Sequence, residues 1–218
     1  MNARTRIFEM TVEGRQIEEV VSSIFHTLLF HRTFGKFHYK QEGSYSIGTL
    51  GMEDVDCDFV DFTYIQVASE ELVRDVKREV VAFRDSLRNS DDSNSGQISL
   101  EFFHKRRARW LLPAECIPWE VWSIKLDVVT LGNEHERQIC REKVGELLSE
   151  KIQFLTEAMN RPEYVPKMPN QSELDLVFDT SYSDIQPYLF RIWHKTTGPS
   201  NSSVSTTMRK FIKDTLAL

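Results

Sequence analysis

Three amphipathic stretches, kept apart by strand-like ones, leave this 218-residue chain few ways to fold. Over residues 15–30 the apolar positions Ile17, Val20, Val21, Ile24, Phe25, Leu28 and Leu29 recur at offsets of three, four and seven. That spacing predicts a helix with one buried face. Leu72, Val76, Val80, Phe83 and Leu87 carry a second helix, with Ser69 as its N-cap and Glu70 and Glu71 favouring the dipole of its first turn. A third, capped by Asn133, spans about 134–160 on Ile139, Val144, Leu148, Ile152, Leu155 and Met159. Strand signals lie between them: 6–12, with Phe8 and Met10 on one face; a hairpin over 37–47; a long strand over 57–67; 98–102; and 119–131, whose second half is apolar enough to be central. Two short strands are expected at 174–178 and 187–194. Helices interspersed among hairpin-type strands predict an α+β fold, with a mixed, mostly antiparallel sheet and three helices on one face. No repeat or linker divides the chain, so 1–218 is read as one domain.

The connections follow from the breakers. Residues 161–169 (RPEYVPKMP) hold three prolines and read as an extended crossing. Glu53, Asp54 and Asp56 read as an acidic turn, 89–96 as a polar loop and 198–203 as another loop. Met208, Phe211, Ile212, Thr215 and Leu216 suggest a short helix over about 205–217.

Several function classes find no support. A net charge of −6 gives no global case for nucleic acid. No apolar run approaches the ~20 residues of a membrane span, and the first ten residues hold no apolar signal core. Three widely spaced cysteines, Cys57, Cys116 and Cys140, read as structural thiols in a reducing compartment, with a cytoplasmic location expected. GxSxG, HExxH, P-loop, CxxC and GxGxxG patterns are all missing, so no enzyme activity and no cofactor is expected. Gly43, Gly48 and Gly51 fit a hairpin and a turn better than a phosphate cradle. His26, His31 and His38 lack metal spacing. Glu53, Asp54, Asp56 and Asp58 lack the glycine of a calcium loop.

What stands out is KRRARWLLPAECIPWEVW, residues 105–122. Lys105, Arg106, Arg107 and Arg109 precede Trp110, Leu111 and Leu112, and Pro113 closes the apolar run. Proline removes a ladder donor, so Trp110, Leu111, Leu112 and Pro113 read as a loop tip between two strands. Two readings of the tip stand: it folds back on the domain, or it is an exposed knob for a partner's pocket. Burying one tryptophan removes roughly 150–250 Å² from water, about 4–6 kcal/mol before binding costs at ~25 cal/mol per Å². The basic run fits a solvated strand end, an acidic partner or anionic lipid. Trp119 and Trp122 lie in a strand and read as core or sheet-face residues.

Several segments together are similar to one known family. VEGRQIEEV (12–20), GKFHYKQEGSYSIGTLG (35–51), DVDCDF (54–59), ECIPWEVW (115–122), ERQICREKVGE (136–146) and RKFIKDTLAL (209–218) resemble the autophagy-related protein 101 family. The resemblance spans nearly the whole chain and implies a single HORMA domain without a closed safety belt, with a finger loop at about 109–115 and a short C-terminal tail helix. It implies a non-enzymatic adaptor that pairs with the HORMA domain of autophagy-related protein 13 in the Unc-51-like autophagy-initiating kinase complex. Such a protein is cytoplasmic and reaches the preautophagosomal structure when autophagy is induced. In the family the finger recruits downstream factors, and its tryptophan falls on Trp110. Its phenylalanine two residues later is Leu112 here, Leu111 stands where proline is common, and proline comes at Pro113. Dimer contacts are expected around His31, Arg32, Asp54 and Asp56. The alternative is a peripheral membrane protein using 105–109 with the apolar tip.

Overall fold

In the computed structural model, which describes residues 3–41, 44–89, 94–107, 114–161 and 164–197, the apolar strand expected to be central is central. Glu115–Val129 (β8) is flanked by Arg4–Glu13 (β1) in parallel and by Ser95–Arg106 (β7) antiparallel. Phe190–Thr197 (β10) adds antiparallel to β7, so the order is β1-β8-β7-β10. The register aligns Phe8, Met10 and Val12 with Trp122, Ile124, Leu126, Ile98, Leu100 and Phe102 on one face, and all are buried.

The helices cover that face. Glu134–Met159 (α3) lies over β1, with Phe154 meeting Phe8 edge-on at 6.1 Å. Glu70–Arg88 (α2) lies over β7 and β10. It approaches closely at Gly96, where a Cβ would stand 2.8 Å from Leu87 and 3.0 Å from Phe83. Ile17–His31 (α1) follows a short 3-10 turn, Gly14–Gln16, and touches both other helices. Its Val20, Val21, Ile24, Phe25, Leu28 and Leu29 are fully buried in one cluster with the inner face of the sheet. The opposite sheet face carries Ile7 and Trp193, exposed by 57% and 38%. The fold is therefore α+β, with a mixed sheet and its helices on one side.

Three small ladders complete it. Thr33–Gly35 (β2) pairs with Ile185–Pro187 (β9), Phe37–Gln41 (β3) with Ser44–Ile47 (β4), and Met52–Asp56 (β5) with Thr63–Val67 (β6). The last pair corrects two expectations. Glu53, Asp54 and Asp56 stand in a strand, not a turn, and the long strand over 57–67 is only its second half. The reason is a long-range tether: the backbone N–H groups of Asp58 and Phe59 donate to the Glu19 carboxylate at 2.8 and 2.9 Å. The Gln16 amide donates to the Phe59 carbonyl at 2.9 Å, so the 3-10 turn and α1 hold residues 57–62 as the turn between β5 and β6, closed by Cys57 N–H to the Phe62 carbonyl at 3.0 Å.

The tail of the domain also differs from expectation. Gln171–Leu176 is a 3-10 turn rather than a strand, and Phe178 makes only an isolated bridge to Tyr188. The strand expected over 187–194 is present from Phe190 as β10, while Pro187 ends a separate strand, β9, that serves β2. Ser69 holds the N-cap position of α2, but its hydroxyl donates to Asp184 at 3.2 Å and not to the helix. Asn133 caps α3 as expected, accepting from Glu136 N–H at 2.9 Å. Trp119 and Trp122 are core residues. The terminal helix expected over 205–217 and the loop at 198–203 lie outside the described residues.

Candidate partner-binding arm

β7 and β8 outrun their sheet. β1 leaves β8 at Glu120, and β10 leaves β7 at Phe102. Beyond them the hairpin continues, with no further strand beside it among the described residues, through Phe103↔Pro118, His104↔Ile117, Lys105↔Cys116 and Arg106↔Glu115. Those pairs carry it about 13 Å at ~3.3 Å per residue. Pro118 is tolerated because the ladder shifts register at Phe102/Phe103, beside it. Phe103 N–H instead donates to the Leu189 carbonyl at 3.0 Å. The arm leads into the expected finger. Arg109, Trp110, Leu111, Leu112 and Pro113 lie outside the described residues, and the flanking Arg107 and Ala114 lie within them.

The basic residues of the arm are partly committed. Arg106 pairs across the hairpin with Glu115 at 2.5 Å, and both side chains are well exposed. Arg107 donates to the Ser172 carbonyl at 2.8 Å, tying the arm to the 3-10 turn. Lys105, Arg106 and Arg107 line a shallow, open groove, with Lys167, Met168, Pro169, Glu173 and Val177 on its other side. The charge and the apolar floor come together only through the proline-rich crossing. The sequence predicts that crossing but carries no signal that it joins the site.

The root of the arm is a buried ion pair. Glu120 accepts from Arg32 Nε at 2.8 Å and Nη2 at 3.3 Å, and from the Tyr164 hydroxyl at 2.7 Å. Arg32 also donates to the carbonyls of His31 and Met159, at 3.3 and 3.4 Å. Its own carbonyl accepts from Tyr188 N–H at 2.9 Å. One residue thus joins the end of α1, the end of α3, β8 and, through its carbonyl, the segment leading into β10. Burial and the Glu120 carboxylate raise the Tyr164 phenol above its usual range. Burial, then the adjacent Arg32 charge, lower the His31 imidazole.

These contacts sort the expected dimer residues. Arg32 is inside the protein, and its charge is spent on Glu120. His31 is half-buried beside it, while Asp54 and Asp56 are exposed on β5. Asp56 accepts from the Thr63 hydroxyl at 2.6 Å. The three share no hydrogen bond or ion pair among the described residues.

Other chemistry finds little footing. Among the described residues no three His, Cys, Asp or Glu side chains group to hold a metal. The described helices include none long and apolar enough to cross a membrane. Cys57 and Cys140 are free, and burial pushes both thiols up to about 11, far from a nucleophile's range. His26 is stacked on Tyr64 at 5.8 Å, and burial lowers its imidazole to about 4.

Comparison with known proteins gives one consistent result. Residues 9–172 match the family model described as autophagy-related protein 101. The chain is 60% identical to autophagy-related protein 101 of Xenopus tropicalis and 59% identical to that of Homo sapiens, in each case over the whole of both chains. The protein of that name from Arabidopsis thaliana is 25% identical over 141 residues, covering 62% of this chain and 59% of its own.

Proposed function

The chain belongs to the autophagy-related protein 101 family, which gives it a role in autophagy, and we propose that it fills that role as a non-enzymatic HORMA-domain adaptor. It pairs with the HORMA domain of autophagy-related protein 13 within the Unc-51-like kinase complex. It then recruits downstream factors to the preautophagosomal structure through the tip of the β7–β8 arm. The observation that supports this most is the arm itself: a ladder that continues past both sheet neighbours, straight into the segment holding Trp110. A domain using that segment as core would have no need to extend a hairpin away from its sheet. His31, Asp54 and Asp56 remain the candidate dimer contacts, and Arg32 supports His31 from within.

Purified protein mixed with the autophagy-related protein 13 HORMA domain is expected to elute as a one-to-one complex. Separate elution at micromolar concentrations would refute the adaptor reading. Trp110→Ala is expected to leave the melting temperature and that complex intact while weakening capture of downstream factors. A large drop in melting temperature would show that Trp110 is core. The membrane alternative has less support, because Arg106 and Arg107 already have partners and Glu173 lines the same groove. Flotation with anionic vesicles at low salt separates the two readings.

A further inference from the structure

The start of β1 and the last turns of α3 enclose a second cavity, of about 100 Å³, remote in sequence from the arm's tip. Strand alternation builds it. Arg4 and Arg6 share a face with Phe8 and Met10, but those two are buried while the arginines stand at the open end of the sheet. Their partners on β8 are Glu120 and Trp122. Phe154, Arg161 and Tyr164 close the cavity from the other side. Trp122 and Phe154 form an apolar wall backed by Phe8, at 5.7 and 6.1 Å, and Phe154 remains 45% exposed.

The charges here do not cancel. Arg4, Arg6 and Arg161 have no carboxylate at ion-pair distance among the described residues. Glu120, which also lines the cavity, is taken by Arg32 and Tyr164. Glu157 accepts only a 3.4 Å bond from Gln153. The Met159 carbonyl at the end of α3 is met by Arg32, which offsets some of the negative end of that helix. The Arg4 guanidinium carbon stands over the Tyr164 ring, 3.9 Å from its centre, a cation–π contact that holds the cation at the cavity. Arg6 donates only to the Thr5 carbonyl, at 3.2 Å. Three guanidinium groups with no carboxylate partner around an apolar wall, on a chain of net charge −6, are matched by an oxyanion carried on an apolar stem.

We propose that this cavity binds the phosphate of a phosphorylated side chain on a partner peptide. A phosphate presents two negative charges and three acceptor oxygens to three arginines, which a carboxylate does not. The site is recessed and holds about one such group, whereas a bilayer calls for a convex apolar surface.

The test uses the full chain, isotopically labelled, with phenyl phosphate as probe and inorganic phosphate as the stemless control. Phenyl phosphate is expected to shift the resonances of Arg6, Trp122 and Phe154, and inorganic phosphate to bind about tenfold more weakly. Arg6→Glu together with Arg161→Glu should abolish the shifts while leaving the unfolding midpoint unchanged, because both side chains are exposed. The wild-type shift map decides the matter even where a variant fails to fold. Shifts scattered over other surface cations, or no shift at Trp122 and Phe154, would overturn the proposal. So would binding to phosphatidylserine vesicles that is lost in the double variant while phenyl phosphate fails to bind.

Discussion

Arg32→Met is the sharpest probe of how the arm is mounted. Methionine keeps most of the apolar stem and removes only the charge and the donors. Glu120, with a side chain 1% exposed, then keeps a single donor, the Tyr164 hydroxyl. Breaking a buried pair from one side costs about 3–5 kcal/mol, because the surviving charge is left in low dielectric. A domain of this size has about 5–15 kcal/mol in total, and each kcal/mol moves the midpoint by about 2–4 °C. The expected fall is therefore about 6–20 °C. Glu120→Gln is the reciprocal probe. It leaves Arg32 buried against the carbonyls of His31 and Met159 and the faces of Trp119 and Tyr164, at 5.7 and 5.9 Å, so its cost should be somewhat lower. The double variant should cost less than the sum of the singles, by about 1–3 kcal/mol, since neither charge is then stranded. Urea unfolding with an unchanged slope measures all three. Single losses below about 1 kcal/mol, or strict additivity, would refute the claim that this pair is a closed internal unit.

Two further outcomes follow from burial and close approach. Burial holds the His26 imidazole at about 4 against an unfolded value of 6.5, so the unfolded chain binds the extra proton first as pH falls. The stabilisation is full above pH 6.5 and is lost as pH falls towards 4, by about 3 kcal/mol at ~1.36 kcal/mol per unit. Urea midpoints at pH 7 and pH 4.5 should diverge in the wild type and much less in His26→Gln; equal divergence would assign the acid sensitivity elsewhere. Gly145→Ala on α3 would place a Cβ 2.6 Å from the Asp61 carbonyl oxygen. Helix propensity favours alanine by about 1 kcal/mol, but displacing backbone costs about 1–3, so calorimetry should record no gain and up to ~2 kcal/mol of loss. A clear stabilisation would mean that the 57–62 turn does not rest on α3.

Local patterning made the three helices and the central strand readable, because each repeats its apolar period within one segment and needs no distant partner. The misread parts all depend on contacts across the chain. Nothing near residues 57–62 announces that Glu19 will accept two of their N–H groups, 39 and 40 positions away. Nothing in 185–197 says that its two halves will serve different ladders. Arg32 is expected among the dimer contacts, yet it is buried, and its partner Glu120, 88 positions on, gives no local signal. The arm was legible as two strands around an apolar tip, through Pro113 and the basic run. Its length was not, since that depends on where β1 and β10 stop.

A two-stranded arm is a poor support by itself. An isolated hairpin is marginal in water, and past Phe103 this one has no sheet neighbour on either side among the described residues. Its stiffness must come from its root and from what leans on it. The root is Glu120, the residue at which β1 ends its pairing with β8 and onto which Arg32 and Tyr164 converge. The lean is the crossing through Pro166 and Pro169 and the 3-10 turn it enters, which takes Arg107 through the Ser172 carbonyl. Proline limits the freedom this crossing has when unfolded, so ordering it against the arm costs less entropy than a flexible loop would. If the proposed adaptor reading holds, a partner docking at the end of such an arm would find the arm already ordered, which favours affinity without adding contact area. Loosening the root should therefore weaken recruitment at the tip even where the tip residues are untouched. Arg32→Met, assayed for downstream capture at a temperature where it is still folded, separates this mounting role from mere stability.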